Sequence, residues 1–227
     1  MSSIPTRVLA GVTVPDTPLI TKAIAYARDN LDDQVYNHVM RSWLFGIYIA
    51  DHIPELQTRD KELHSVTAIL HDLGLATPAS KLISADKRFE VDGANATRAF
   101  LIKEGGEEWD RHRLQLAWDA VALHTTVSIA REKEVEVKSC SFGITSDFFE
   151  PEQALGGVLT REIWEGVVRE FPKSGMKKAL VDMFCGFCVS KPETTYDNMV
   201  GDFGVKYVKG YSLEGRKVID IIENLKE

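Results

Sequence analysis

The chain has 227 residues, 44% of them hydrophobic, enough to bury a full core in one domain without a disulfide or metal staple. Its 34 acidic residues outnumber 27 lysines and arginines, the formal net charge is −7, and no cationic cluster offsets it, which excludes nucleic acid as a partner. The three cysteines, Cys140, Cys185 and Cys188, with no leader segment before them, fit a reducing cytoplasm, and apolar stretches such as SWLFGIYIA fall short of the ~20 residues of a membrane helix.

A first helix is predicted over about residues 17–31, in DTPLITKAIAYARDNL, with Asp16 or Thr17 as N-cap, Pro18 in the first turn and a stripe of Ile20, Ala23, Ile24 and Ala27. A long helix follows in DDQVYNHVMRSWLFGIYIADHI, where Val35, Val39, Ser42 and Gly46 share an edge and His38 lies beside it. RDKELHSVTAILHDLG is helical by the spacing of Leu63, Val66, Thr67 and Leu70, and it ends at Gly74, the residue type that suits a left-handed cap. His71 and Asp72 then occupy the last turn. Two ionisable side chains closing an apolar run are costly to bury alone, so this pair requires a ligand, a proton network or a metal.

Between Ala76 and Gly93 the periodicity breaks, and a loop of the kind that covers a site is expected there, carrying Glu90 and Asp92. Helix resumes in ANATRAFLIKEGG and again in EEWDRHRLQLAWDAVALH, where Leu114, Ala117, Trp118 and Val121 form an inward stripe that His124 continues. REKEVEVKSCSFGITSDFFE alternates in places like a strand, but Val137, Cys140, Ile144 and Asp147 keep helical spacing, and helix is the expectation. TREIWEGVVREF and SGMKKALVDMFCGFCVSK are amphipathic, and a final helix is predicted over about residues 212–226 with Val218, Ile221, Ile222 and Leu225 on one face. The chain therefore reads as all-α and as a single domain over 1–227, its motif-bearing core spanning about 32–200.

Packed helices bring remote residues together, so His71 and Asp72 find partners in His38 and in Asp147 of GITSDFFE. Two imidazoles and two carboxylates suit one divalent ion and leave room for water; zinc is the first expectation, with Fe2+ and Mn2+ as alternatives. Glu150 is the alternative carboxylate to Asp147. CGFC has redox-motif spacing but sits within the apolar face of a helix, where core packing is the expected role.

A histidine, then His-Asp, then a distant aspartate across a helical chain resembles the HD-domain superfamily of metal-dependent hydrolases. The motifs VYNHVMRSWLFG, AILHDLGL, RFEVDGANATRAFL, WDAVALHT, FGITSDFF and KPETTYDN, in that order, resemble the cyanamide hydratase family of fungal HD proteins from about Val35 to about Asn198. That resemblance implies a single helical HD domain with one metal ion in its core, and addition of water to cyanamide to give urea. It implies His38, His71, Asp72 and Asp147 as metal ligands, Asp92 and His124 as the groups that move protons, and Phe89 with His124 as substrate contacts.

Alternatives remain at several positions. Asp92 also suits a helix N-cap, and His124 a core histidine held by a hydrogen bond. His52 and His112 read as surface residues, and His64 as a neighbour of the site. Other small nitriles and isonitriles carry similar electrophilic carbons. Phosphate ester hydrolysis uses the same kind of metal-bound water, and Arg41, Lys81, Lys87 and Arg88 offer cations for it. A third reading is a degraded HD fold that only binds. A small-molecule substrate is the expected partner, and a homo-oligomer is left open.

Overall fold

The computed structural model describes residues 4–154 and 157–226. They form two compact units, one reaching to Ile83 and continuing from Phe89 to Ser174, the other formed by Ser84–Arg88 and by the chain from Gly175 onward. The described chain is mostly helical, as the periodicity predicts, with a two-stranded sheet as an addition. None of its helices is long and apolar enough to cross a membrane.

The first unit begins with an antiparallel hairpin, β1 (Thr6–Leu9) and β2 (Val12–Pro15), turning at Ala10 and Gly11, both with positive φ. The sequence reading missed it; the signal was the alternation in VLAGVTV, which puts Val12 and Val14 in the core. Helix α1 (Pro18–Asn30) starts where expected, capped by the Thr17 hydroxyl, which accepts from the Ile20 amide. Helix α2 (Asp33–His52) is capped by Asp32 and runs through the middle of the unit, burying Trp43, Phe45, Ile47 and Ile49 as well as His38 and Arg41. Such a helix, apolar nearly all round, belongs at the centre of a core.

Helix α3 (Lys61–Leu70), capped by Asp60, stops four residues short of Gly74. His71 is its C-cap, and Asp72 leads into a 3-10 turn, Leu73–Leu75. Gly74 is not a left-handed cap: the positive-φ residues do not include it. Its lack of a side chain serves a close approach instead, because a Cβ there would collide with the Phe89 carbonyl, while one at Gly93 would press to 3.1 Å from the Gly74 amide and the His71 carbonyl. Helix α4 (Phe89–Glu104) can therefore lie directly against the turn that carries His71 and Asp72.

The expected loop ends at Arg88, earlier than predicted, so Glu90 and Asp92 are helical and buried rather than on a cover. Asp92, three residues inside the helix, is not an N-cap either. Helix α5 (Arg111–Ala122) and the short α6 (Val127–Ala130) lead to α7 (Val135–Ser146), which is helical as its spacing suggests. Helix α7 meets α2 at Gly143, where a Cβ would strike the Ser42 carbonyl; the two backbones touch, and that brings Asp147 beside His38 and Arg41. Helix α8 (Arg161–Glu170), capped by Thr160, completes the unit.

In the second unit, α9 (Met176–Ser190) packs against α10 (Val200–Tyr207) through Phe184 and Phe203, whose rings lie 4.9 Å apart. CGFC lies within α9, and both of its cysteines are free. The buried Lys191 amine donates to the Ser84 and Lys87 carbonyls, tying the Ser84–Arg88 segment to this unit. Helix α11 spans only Val218–Glu223, not 212–226, because Gly215 takes a left-handed conformation that interrupts the predicted run. Its apolar residues Val218, Ile221 and Ile222, and Leu225 just beyond it, are exposed.

Candidate metal centre

Three imidazoles stand in a row within the first unit. The His38 and His71 rings lie 5.1 Å apart and the His71 and His124 rings 5.0 Å apart, each pair edge to face. His38 comes from the middle of α2, His71 from the end of α3, and His124 from the turn just after α5. Asp72 lies across the row. Its Oδ2 is 3.3 Å from His71 Nε2 and 3.5 Å from His38 Nε2, and its Oδ1 is 3.3 Å from His124 Nε2.

The outer nitrogens fix the tautomers. His71 Nδ1 faces the Ala68 carbonyl at 2.8 Å, His124 Nδ1 the Val121 carbonyl at 2.6 Å, and His38 Nδ1 the Asp147 carboxylate at 2.7 Å. Carbonyl and carboxylate oxygens only accept, so each ring carries its proton on Nδ1 and directs Nε2 inward. His38 and His71 thus aim Nε2 at each other across 3.3 Å beside an anionic oxygen, an arrangement that a shared cation resolves. His38, His71 and Asp72 each offer one donor atom, all within 4.8 Å of one another, and all three residues are buried. The nitrogen and carboxylate donors fit a divalent first-row ion.

Asp147 does not join them. Its Oδ2 accepts from His38 Nδ1, and Arg41 grips both oxygens, Nε to Oδ1 at 2.7 Å and Nη2 to Oδ2 at 2.8 Å. Arg41 also donates to the Phe171 and Pro172 carbonyls, and Lys173 lies 3.4 Å from Asp147 Oδ1. Where the sequence suggests a fourth metal ligand, the structure turns the carboxylate to the outer nitrogen of His38. Glu150, the alternative, pairs at the surface with Arg161.

The electrostatics follow from burial and from Asp72. Burial would raise the Asp72 carboxyl, but the charge of His71 and hydrogen bonds from His124 and His71 hold it well below the usual range. Burial lowers His71 from its ordinary value, and the charge and hydrogen bond of Asp72 offset only part of that. In His124, burial also favours the neutral ring, but the hydrogen bond and charge of Asp72 outweigh it and raise the net value. For Asp147, burial is outweighed by hydrogen bonds from His38 and Arg41, which bring it to about 2.

Phe89, 3% exposed, sets its ring edge to face with His124 at 5.6 Å. Glu90, expected on a covering loop, is buried on α4, accepts from the Thr125 hydroxyl at 2.6 Å and adds negative charge near His124. Asp92 is buried on α4, one residue before the Gly93 contact with the His71 carbonyl. Of the four phosphate-binding candidates, Arg41 pairs with Asp147, Lys87 with Asp86 at 2.8 Å and Arg88 with Asp197 at 3.7 Å, and Lys81 is exposed. His64 is buried on α3, its Nδ1 accepting from Arg59 Nε, while His52 and His112 are exposed.

A helical core in which His38, His71 and Asp72 converge from two helices can hold a metal ion. The HD domain model matches residues 35–152, half of the chain, and the chain belongs to the HD domain family. Membership makes it a metal-dependent enzyme of the hydrolase type. No curated protein matches it.

Proposed function

We propose that the protein is a hydratase that adds water to the carbon-nitrogen triple bond of cyanamide, giving urea, with one divalent metal, zinc first, held by His38, His71 and Asp72. The observation that carries this reading is the state of the cations beside the cluster. Phosphate recognition recruits arginine or lysine to the transferring group. Here Arg41 and Lys173 are both turned onto Asp147, and the rings beside the row belong to Phe89 and Phe148. Such surroundings suit a small neutral substrate. The order of motifs shared with the cyanamide hydratase family supports the same choice, and the free thiols suit the cytoplasm.

The bound metal would supply water acidified toward neutrality at the carbon of the substrate. The chain's own residues manage the protons. Adding water to N≡C–NH2 forms one carbon-oxygen bond and puts one proton on the terminal nitrogen; the resulting isourea becomes urea when a second proton moves from oxygen to nitrogen. His124 has an acceptor at each nitrogen, the Val121 carbonyl and Asp72, and is therefore built to hold a proton and pass it on. Asp92 is the second proton carrier, and Phe89 is the wall against which the substrate and His124 pack. Asp147 and Arg41 position His38 and do not touch substrate.

The test is metal analysis of the purified protein followed by parallel assays for urea from cyanamide and phosphate from nucleotides and aryl phosphates. One metal per chain with metal-dependent urea formation is the expected result. Metal-dependent phosphate release without urea formation would overturn the hydratase reading in favour of a phosphohydrolase.

A further inference from the structure

Phe148 follows Asp147 directly, and the clamp on Asp147 fixes where it stands. Asp147 is the C-cap of α7, and the Phe148 amide bonds to the Thr145 carbonyl at 3.1 Å, so the backbone at this point has little freedom. The Phe148 ring lies 5.2 Å from the His38 ring, tilted at 54°, and yet the residue is 53% exposed. One side of the ring thus covers a buried imidazole while much of the rest meets solvent. At the other end of the row the equivalent position is taken by Phe89, which is buried.

The two rings make the ends of the histidine row unequal. The ring at the His124 end is buried, and the ring at the His38 end is half-exposed.

We propose that Phe148 is the specificity-determining roof of the metal centre: it lets narrow, rod-shaped ligands reach the ion beside His38 and excludes branched or aromatic ones. The proposal rests on the metal centre assigned above, and it narrows the substrate class to short linear molecules such as cyanamide. Phe148 contacts a metal-holding ring and not the reacting atoms, so it acts by exclusion.

Cobalt-substituted protein gives a readout independent of turnover, because its visible spectrum changes when a ligand reaches the metal. The probes are azide, which is linear, and 4-phenylimidazole, which is broad. In Phe148→Ala, affinity for 4-phenylimidazole should rise about tenfold or more, in the range that steric pockets discriminate, while azide changes little. Phe148→Trp should retain the exclusion, and Phe148→Leu serves if the alanine variant does not fold. Equal affinity of wild type and the smaller variants for 4-phenylimidazole would overturn the proposal, as would parallel weakening of both probes, which marks a merely structural residue. Exclusion in the cobalt protein without urea formation from cyanamide would sink the hydratase reading and leave the roof standing.

Discussion

The two ends of the histidine row are held by different means. His71 and His124 each donate Nδ1–H to a carbonyl three residues earlier in their own segment, Ala68 and Val121. His38 donates instead to Asp147, 109 positions away, and that carboxylate is held by Arg41 of the same helix as His38. A backbone carbonyl sets a tautomer with no charge to balance. A buried carboxylate also raises the basicity of the ring it orients, and it needs a cation to compensate it. The His38 end is therefore stiff and depends on tertiary packing, while the His124 end is local and leaves its ring free to carry a proton.

The largest expected effect comes from the ring shared by both ends. His71→Ala removes a nitrogen donor from the middle of the row, and metal content by mass spectrometry should fall to background with activity lost. Full occupancy in that variant would mean that the metal sits elsewhere.

Next comes the His38 end. Asp147→Ala strands a buried arginine, and uncompensated buried charges cost about 3–5 kcal/mol, so a large drop in melting temperature is expected. In the milder Asp147→Asn, metal affinity should fall by roughly 10- to 100-fold, as for other residues that orient metal-binding histidines. Pairing Asp147→Asn with Arg41→Met should recover part of the stability but not the affinity. Were Asp147 a direct ligand instead, the asparagine variant would lose its metal outright.

At the His124 end the loss should be kinetic. His124→Ala and Asp92→Asn should each lower turnover by about two orders of magnitude while metal content stays near one per chain. Metal loss in the His124 variant would make the two ends alike in function and turn His124 into a ligand.

The smallest effect concerns the support beneath the row. In Gly74→Ala the new methyl meets the Phe89 carbonyl, so α4 must move, at a cost of roughly 1–3 kcal/mol read from denaturant midpoints. Turnover should fall further than metal content, because α4 carries Phe89 and Asp92 but no metal donor.

Local rules made much of this chain legible from its residues. Thr17, Asp32 and Asp60 cap helices because a short oxygen-bearing side chain satisfies the free amides of a first turn, and the 3.6-residue spacing of apolar positions shows which faces turn inward. The same spacing put His71 and Asp72 at the end of a buried helix, where two polar side chains demand a partner. The hairpin was missed because four-residue strands carry little periodicity. The full extent of α11 was overstated because Gly215 breaks it, and an apolar stripe cannot say whether anything packs on it.

What only the tertiary structure decided is the direction in which side chains point once their helices are packed. Asp147 and His38 belong together in either arrangement, and sequence cannot distinguish a carboxylate that faces the inner nitrogen from one that faces the outer. Arg41 makes the difference: from one turn along α2 it pulls both oxygens of Asp147 behind His38. The contact between α2 and α7 at Gly143 permits that approach, and its geometry depends on backbones meeting across more than ninety residues of chain.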